Sequence, residues 1–120
     1  MTETKNWPTE IRISDAGSVL NISFDDGQNF ALSAEYLRVE SPSAEVKGHG
    51  KGQEVTVPGK RNVRIIGAEP VGNYAVRLKF DDMHDTGIFS WTYLAKLGRE
   101  HSEIWDAYLQ KLEAEGKSRD

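Results

Sequence analysis

The sequence contains no cysteine among its 120 residues. This absence excludes disulfide bonds, thiolate metal sites, cysteine-ligated iron–sulfur clusters and a cysteine nucleophile. Long apolar runs are also missing, and none approaches the ~20 residues that a membrane-spanning helix needs. Residues 1–7 are polar and lack the apolar stretch of a signal peptide. We therefore expect a cytoplasmic protein that does not enter a membrane.

The sequence has fewer basic than acidic side chains and few histidines. Lys and Arg total 15 against 19 Asp and Glu, so the formal net charge is -4. Such a chain has no overall field that would attract nucleic acid or an anionic membrane, and neither is an expected partner. Of the three histidines, only His101 begins a His-x-Glu pair, and no later histidine completes a two-histidine, one-carboxylate iron site.

Apolar residues alternate in several short segments, which is the period of a half-buried strand. Three antiparallel strands are predicted to open the chain, and Asp26-Gly27 predicts a hairpin with a type I′ turn between the second and the third. Three more strands are predicted further along, which makes about six. The six segments are residues 11–13, 20–24, 28–32, 63–66, 74–80 and 86–89.

Two serines are placed to cap helices. Ser33 precedes a short helix, and Ser90 precedes a longer helix that Gly98 is expected to end. A second C-terminal helix carries one apolar stripe, made of Ile104, Trp105, Tyr108, Leu109 and Leu112. Residues 115–120 are predicted to form a polar tail. The predicted fold class is α+β, a mainly antiparallel β-sheet with short helices gathered at the C-terminus.

Residues 41–62 interrupt this pattern with glycine and proline and predict a long irregular loop, which makes the loop the first place to look for a site. His49 lies there between two glycines, which allow close backbone approach to a ligand. His84 lies in an acidic turn and is followed by Asp85. Each histidine could hold a metal ion or simply organise its own loop, and the sequence leaves both interpretations open.

Several short motifs together resemble one small domain. They are Trp7-Pro8-Thr9-Glu10-Ile11, Phe24-Asp25-Asp26-Gly27, Tyr36-Leu37-Arg38, Ser41-Pro42-Ser43-Ala44-Glu45-Val46 and His84-Asp85-Thr86-Gly87-Ile88-Phe89-Ser90-Trp91. On these motifs the chain resembles the gamma-butyrobetaine hydroxylase-like N-terminal domain, a family long described as a domain of unknown function. The resemblance spans residues 7–98 and is greatest to stand-alone bacterial members. Residues 99–120 are then an additional C-terminal helix and polar tail.

The resemblance also implies what has changed at one site. Hydroxylase-type members hold a structural zinc ion with a Cys-x-Cys-x-x-Cys loop and a histidine in an Asp-Gly-His turn. The matching positions here are Ser41, Ser43, Val46 and His84, and Met83 replaces the glycine. Since three thiolates are missing, we expect the family zinc site to be lost. Some relatives carry the domain next to an ATPase that ferries iron–sulfur clusters, which implies a link to iron–sulfur or metal handling.

The leading prediction is therefore a non-enzymatic accessory or interaction domain that contacts an unknown protein partner or a small anion. An alternative is a divalent metal-binding domain, for zinc or a similar ion, that uses His49, His84 and Asp85. An enzyme with a hydrolase-like or lyase-like site is a third and weaker hypothesis. No other cofactor is expected. The predicted binding residues are Arg38, Ser41, Ser43, His49, His84 and Asp85.

Overall fold

The structure, a computed structural model, describes residues 7–42 and 56–120. Its first sheet contains the strands β1 (Pro8–Ser14), β2 (Val19–Phe24) and β3 (Asn29–Ser33), in that order and all antiparallel. Ile22 in the central strand lies opposite a residue of each neighbour. Every second residue of β2 is buried, so the period-2 pattern identified the inner face of this sheet correctly.

The hairpin predicted at Asp26-Gly27 is confirmed, but its turn differs from the prediction. Only Gly27 has a positive φ, of 91°, whereas a type I′ turn needs a positive φ at both central residues. The Gly27 N–H donates to the Phe24 carbonyl at 3.1 Å, and the Phe24 N–H donates to the Gln28 carbonyl at 2.8 Å. The loop is thus one residue longer than predicted, and glycine takes its left-handed position.

The second sheet contains β4 (Ile65–Val71), β5 (Ala75–Phe80) and β6 (Gly87–Ser90), again antiparallel and in sequence order. Its inner face contributes buried side chains from all three strands. The α+β prediction with about six antiparallel strands is therefore confirmed, with the strands divided between two sheets rather than joined in one.

The three described α-helices are α1 (Ala34–Val39), α2 (Trp91–Arg99) and α3 (His101–Ala114), and Asp15–Gly17 form a short 3-10 helix between β1 and β2. The serine before α1 accepts a hydrogen bond from the Tyr36 N–H at 3.0 Å, and the serine before α2 accepts one from the Tyr93 N–H at 3.1 Å. Both predicted caps are thus formed, and each satisfies a backbone donor that the helix itself leaves open.

Both sheets share one hydrophobic core with α1 and α2, and α3 packs against that core through Ile104 and Trp105. Tyr36 is completely buried within it, and its hydroxyl donates to the Leu97 carbonyl at 2.7 Å. Burial raises the pKa of this phenol, followed in effect by the nearby Glu40 carboxylate. A second, smaller cluster joins Val39 to Tyr108 and Leu112 of α3.

No helix in residues 7–42 and 56–120 has the length and apolar content to cross a bilayer.

One C-terminal feature differs from the sequence prediction. Gly98 does not end α2, which continues to Arg99. The polar tail lies against the molecule, because the Gly59 N–H donates to the Ser118 carbonyl at 2.9 Å and the Arg61 N–H donates to the Arg119 carbonyl at 3.0 Å. These backbone hydrogen bonds require no particular side chain, so composition alone predicted only a tail.

Gly98 instead permits a close contact between α2 and the first sheet, since a Cβ at this position would overlap the ring of Phe30. Glycine in a helix interior is otherwise unfavourable by about 1 kcal/mol relative to alanine. The absence of a side chain at residue 98 is thus a packing requirement of the core.

We expect Gly98→Ala to lower the free energy of unfolding by about 1–3 kcal/mol, because the added methyl group must displace Phe30. Urea unfolding followed by circular dichroism measures the change. The control is Gly67→Ala, where the nearest atoms to the new methyl group belong to the flexible Lys79 side chain at 3.5 Å or more. The control should change stability by less than about 1 kcal/mol. A stabilised Gly98→Ala variant would contradict the packing explanation.

Candidate functional site

A cluster of charged side chains lies where α1 meets the turn between β5 and β6. The Arg38 Nε donates to Oδ2 of Asp82 at 2.8 Å, and Nζ of Lys60 lies 2.5 Å from the same oxygen. All three side chains are largely buried, with Asp82 19% exposed. We call this group the Asp82 cluster. It joins three parts of the chain that are far apart in sequence.

The second carboxylate oxygen of Asp82 shapes the turn itself, because it accepts the backbone N–H of His84 at 3.2 Å. Burial alone would raise the pKa of the Asp82 carboxyl, but the hydrogen bonds from Lys60, Arg38 and the His84 backbone outweigh it. Together they lower this pKa to about 2. Asp82 is therefore ionised at neutral pH and serves as an acceptor only.

The imidazole of His84 lies inside the protein, with 3% of the residue exposed. Its Nε2 is 3.0 Å from Oγ of Ser41, which is also fully buried. Its ring contacts the ring of Phe80, with centroids 5.9 Å apart. The hydroxyl can donate or accept, so this hydrogen bond suits either imidazole tautomer. His84 thus connects the chain just after α1 to the β5–β6 turn.

Gly87 makes room for this hydrogen bond. A Cβ built at residue 87 would lie 2.5 Å from Oγ of Ser41 and 3.0 Å from the ring of Phe89. Such contacts are shorter than van der Waals distance, so a side chain here would push Ser41 away from His84. The sequence motif that begins at His84 therefore contains both a partner of the hydrogen bond and the glycine that accommodates it.

Met83 is the outermost residue of the turn. Its side chain projects into solvent, with 91% of the residue exposed, and its φ is 73°. A left-handed backbone costs a residue with a Cβ roughly 1 kcal/mol, whereas glycine adopts it freely. The contacts of Asp82 and His84 on either side hold the backbone in this conformation.

The structure brings three of the predicted binding residues, Arg38, Ser41 and His84, to one turn. Asp85 follows in the same turn and is exposed. Ser43 and His49 lie outside the described residues. Within the described part of the chain, no group of three histidine, aspartate or glutamate side chains could hold a metal ion. The set of His49, His84 and Asp85 therefore stays a prediction.

Sequence reasoning missed Asp82 and Lys60 as members of the site. Asp82 stands in a visible acidic run, but nothing in the sequence indicates that its partners lie 44 and 22 residues away. Arg38 was predicted to bind, and its strongest contact is internal. Among the described residues its buried Nη1 has no hydrogen-bond partner.

The chain is similar to a known protein family and to several solved structures. A family model described as gamma-butyrobetaine hydroxylase-like, N-terminal, matches residues 11–95. Two NMR solution structures of proteins are 44% and 48% identical, each with a TM-score of 0.82, and they align with 96% and 99% of this chain and 90% of their own. A crystal structure from Acidithiobacillus ferrooxidans, of a protein of unknown function in the DUF971 family, is 41% identical. It has a TM-score of 0.63 and aligns with 76% of this chain and 91% of its own. No curated protein matches the chain.

The lowered pKa of Asp82 predicts a loss of stability in acid. The folded pKa of about 2 lies below the unfolded value of roughly 3.9. The contribution of Asp82 is therefore fully present above the unfolded pKa and is lost as the pH falls through 3.9 towards 2. We expect this residue to account for about 2–3 kcal/mol of the decrease in unfolding free energy between roughly pH 5 and pH 2. Urea unfolding at a series of pH values measures it.

The Asp82→Asn variant should lack this share of the pH dependence. At pH 7 it should also be less stable by about 3 kcal/mol, because Arg38 and Lys60 lose their carboxylate while largely buried. The matched control is Glu69→Gln, since Glu69 pairs with Arg77 and Lys79 on the exposed face of the second sheet. The control should cost less than about 1 kcal/mol. Equal losses in the two variants would contradict the assigned role of Asp82.

Proposed function

The chain belongs to the gamma-butyrobetaine hydroxylase-like N-terminal family, and from this premise we propose that it is a non-enzymatic accessory domain that binds a partner protein. The proposed contact surface is the turn over residues 81–86, which we call the Met83 turn. Beneath it lie the Asp82 cluster and the hydrogen bond between Ser41 and His84. These buried groups set the shape of the turn, and its exposed residues make the contact.

Met83 is the observation that carries this proposal. An exposed side chain contributes little to the packing of its own domain, and a glycine here would be free of backbone strain. Strained residues persist where surrounding contacts over-determine them, and they cluster at functional positions. Methionine is also flexible and polarisable, which suits it to adaptable protein contacts. The combination favours binding as the use of this side chain.

The surroundings of Met83 indicate the chemistry of the partner. The turn also exposes the acidic residues Asp81 and Asp85. A matching partner has a small apolar depression for the methionine, with lysine or arginine at its rim. Ser43 and His49 stay predicted contact residues from the sequence. Proteins of iron–sulfur or metal handling are the first candidates, since the family resemblance implies that association.

The proposal assigns His84 and Ser41 a positioning role. Both are buried, and their hydrogen bond joins two of the positions that match the family zinc ligands. In this chain the hydrogen bond replaces metal coordination as the connection between the loop and the turn. The turn then keeps its shape without a zinc ion.

A crosslinking experiment tests the Met83 contact directly. The chain has two methionines, Met1 and Met83, so incorporating photo-methionine places a photoreactive group at the tip of the turn. Irradiation of this protein in a lysate of its native host should yield a specific crosslinked protein. The Met83→Gly variant keeps the label at Met1 alone and should lose that product.

The same variant provides its own control for folding. Because glycine relieves the left-handed strain, Met83→Gly should unfold at equal or higher urea concentration, with a gain of up to about 1 kcal/mol. Loss of the crosslinked product from a fully folded variant supports the proposed contact. Identical products from both proteins, or no product at residue 83, would contradict it.

Zinc titration tests the proposed loss of the family metal site. We expect about a tenfold molar excess of zinc to leave the thermal unfolding midpoint of the metal-free protein unchanged, because a ligand stabilises only the state that binds it. A rise in the midpoint that disappears in both His84→Ala and Asp85→Asn would overturn this expectation. That result would favour the alternative of a divalent metal-binding domain.

A further inference from the structure

The residues that follow α3 contact a distant part of the chain. We infer that residues 115–120 form a strap that holds residues 56–61 against the protein and thereby places Lys60 on Asp82. The inference goes beyond the proposed function and holds whether or not the Met83 turn binds a partner. It concerns how one part of the chain controls the geometry of another.

The strap is anchored by Arg119. Its guanidinium donates two hydrogen bonds to the carboxylate of Glu35 in α1, at 2.8 and 2.7 Å, and lies 5.3 Å from the centre of the Trp105 ring. The Glu35 side chain is 6% exposed. A two-pronged contact of this kind, backed by an aromatic ring, fixes both position and orientation.

Along its length the strap pairs with residues 56–61 through the backbone. The two hydrogen bonds from the N–H groups of Gly59 and Arg61, described above, lie on either side of Lys60. At the start of the strap, Thr56 donates its hydroxyl to Glu115 at 2.9 Å, and Lys117 donates to the Thr56 carbonyl at 3.2 Å. The residues immediately before and after Lys60 are therefore both hydrogen-bonded to the strap.

Lys60 binds Asp82, and Asp82 also binds Arg38 of α1. Glu35 and Arg38 are three residues apart, which places them on neighbouring positions of one helical face. Glu35 binds the strap, and Arg38 binds Asp82. Each of these ion pairs has one partner in α1. The other partner of each pair, Arg119 or Asp82, contacts residues 59–61. Release of the strap should therefore weaken the contact between Lys60 and Asp82.

One contact of this segment does not depend on the strap. The hydroxyl of Tyr108 in α3 donates to the Val57 carbonyl at 2.6 Å, and Val57 packs against the cluster of Val39, Tyr108 and Leu112. Residue 57 should therefore remain in place when Arg119 is removed, while residues 59–61 are released. This difference allows local release to be distinguished from general unfolding.

Amide hydrogen exchange and NMR titration of the full chain test the inference. In Arg119→Ala, exchange of the Gly59 and Arg61 amides should accelerate about tenfold or more, while the amides of β2 and β5 keep their protection. The carboxyl carbon of Asp82 should also titrate at higher pH, because Lys60 no longer stays beside it. The matched control is Arg77→Ala, which removes an exposed ion pair with Glu69 in the second sheet, outside the strap and the segment it holds. There, exchange of the Gly59 amide should change less than about twofold.

A second variant addresses the carboxylate that Arg119→Ala leaves buried. Glu35→Gln combined with Arg119→Ala removes that charge and should show the same release of residues 59–61, with cooperative unfolding retained. Unchanged exchange at Gly59 in this double variant would overturn the strap. Faster exchange at Gly59 with an unchanged titration of Asp82 would overturn its control of Lys60.

Discussion

The structure depends on a six-residue helix that is buried along its whole length. Two of its residues, Glu35 and Arg38, are charged, and a helix in this position is stable only if both charges are neutralised. The required partners come from opposite regions of the chain, Arg119 near the C-terminus and Asp82 in the β5–β6 turn. Loss of one partner from a largely buried pair such as Arg38–Asp82 costs about 3–5 kcal/mol, and Arg119 binds Glu35 through two hydrogen bonds, so these contacts determine where both regions can lie.

The candidate site follows from the same constraint. Asp82 is held by Arg38, and it orients the turn through the backbone of His84. The imidazole is then directed inward to Ser41, at a place where Gly87 leaves room. Each interior contact has a partner that is itself fixed, so the exposed residues of the Met83 turn have a rigid base. A loop on a rigid base is the usual arrangement for recognition.

Much of the fold could be predicted from the sequence because its signals are local. Alternation in β2 identified a strand with one buried face, and the serines before α1 and α2 identified helix starts. Gly98 was misread as a helix end, since a sequence does not reveal that Phe30 packs there. The hydrogen bond between Ser41 and His84 joins residues 43 apart, and only the family resemblance suggested that they lie close together. The Asp82 cluster is non-local in the same way, so its acidic residue was visible but its function was not.

The contact between Glu35 and Arg119 spans 84 residues, and this separation bears on the order in which the protein assembles. During synthesis on a ribosome, the first sheet and α1 emerge long before Arg119 is available. Until then the Glu35 carboxylate lacks its two hydrogen bonds from Arg119, and a helix that is to become fully buried must remain partly hydrated. Long-range contacts of this kind form late, since loop closure must precede them. A nascent chain should therefore keep α1 accessible to chaperones until Arg119 has been synthesised and has left the ribosome.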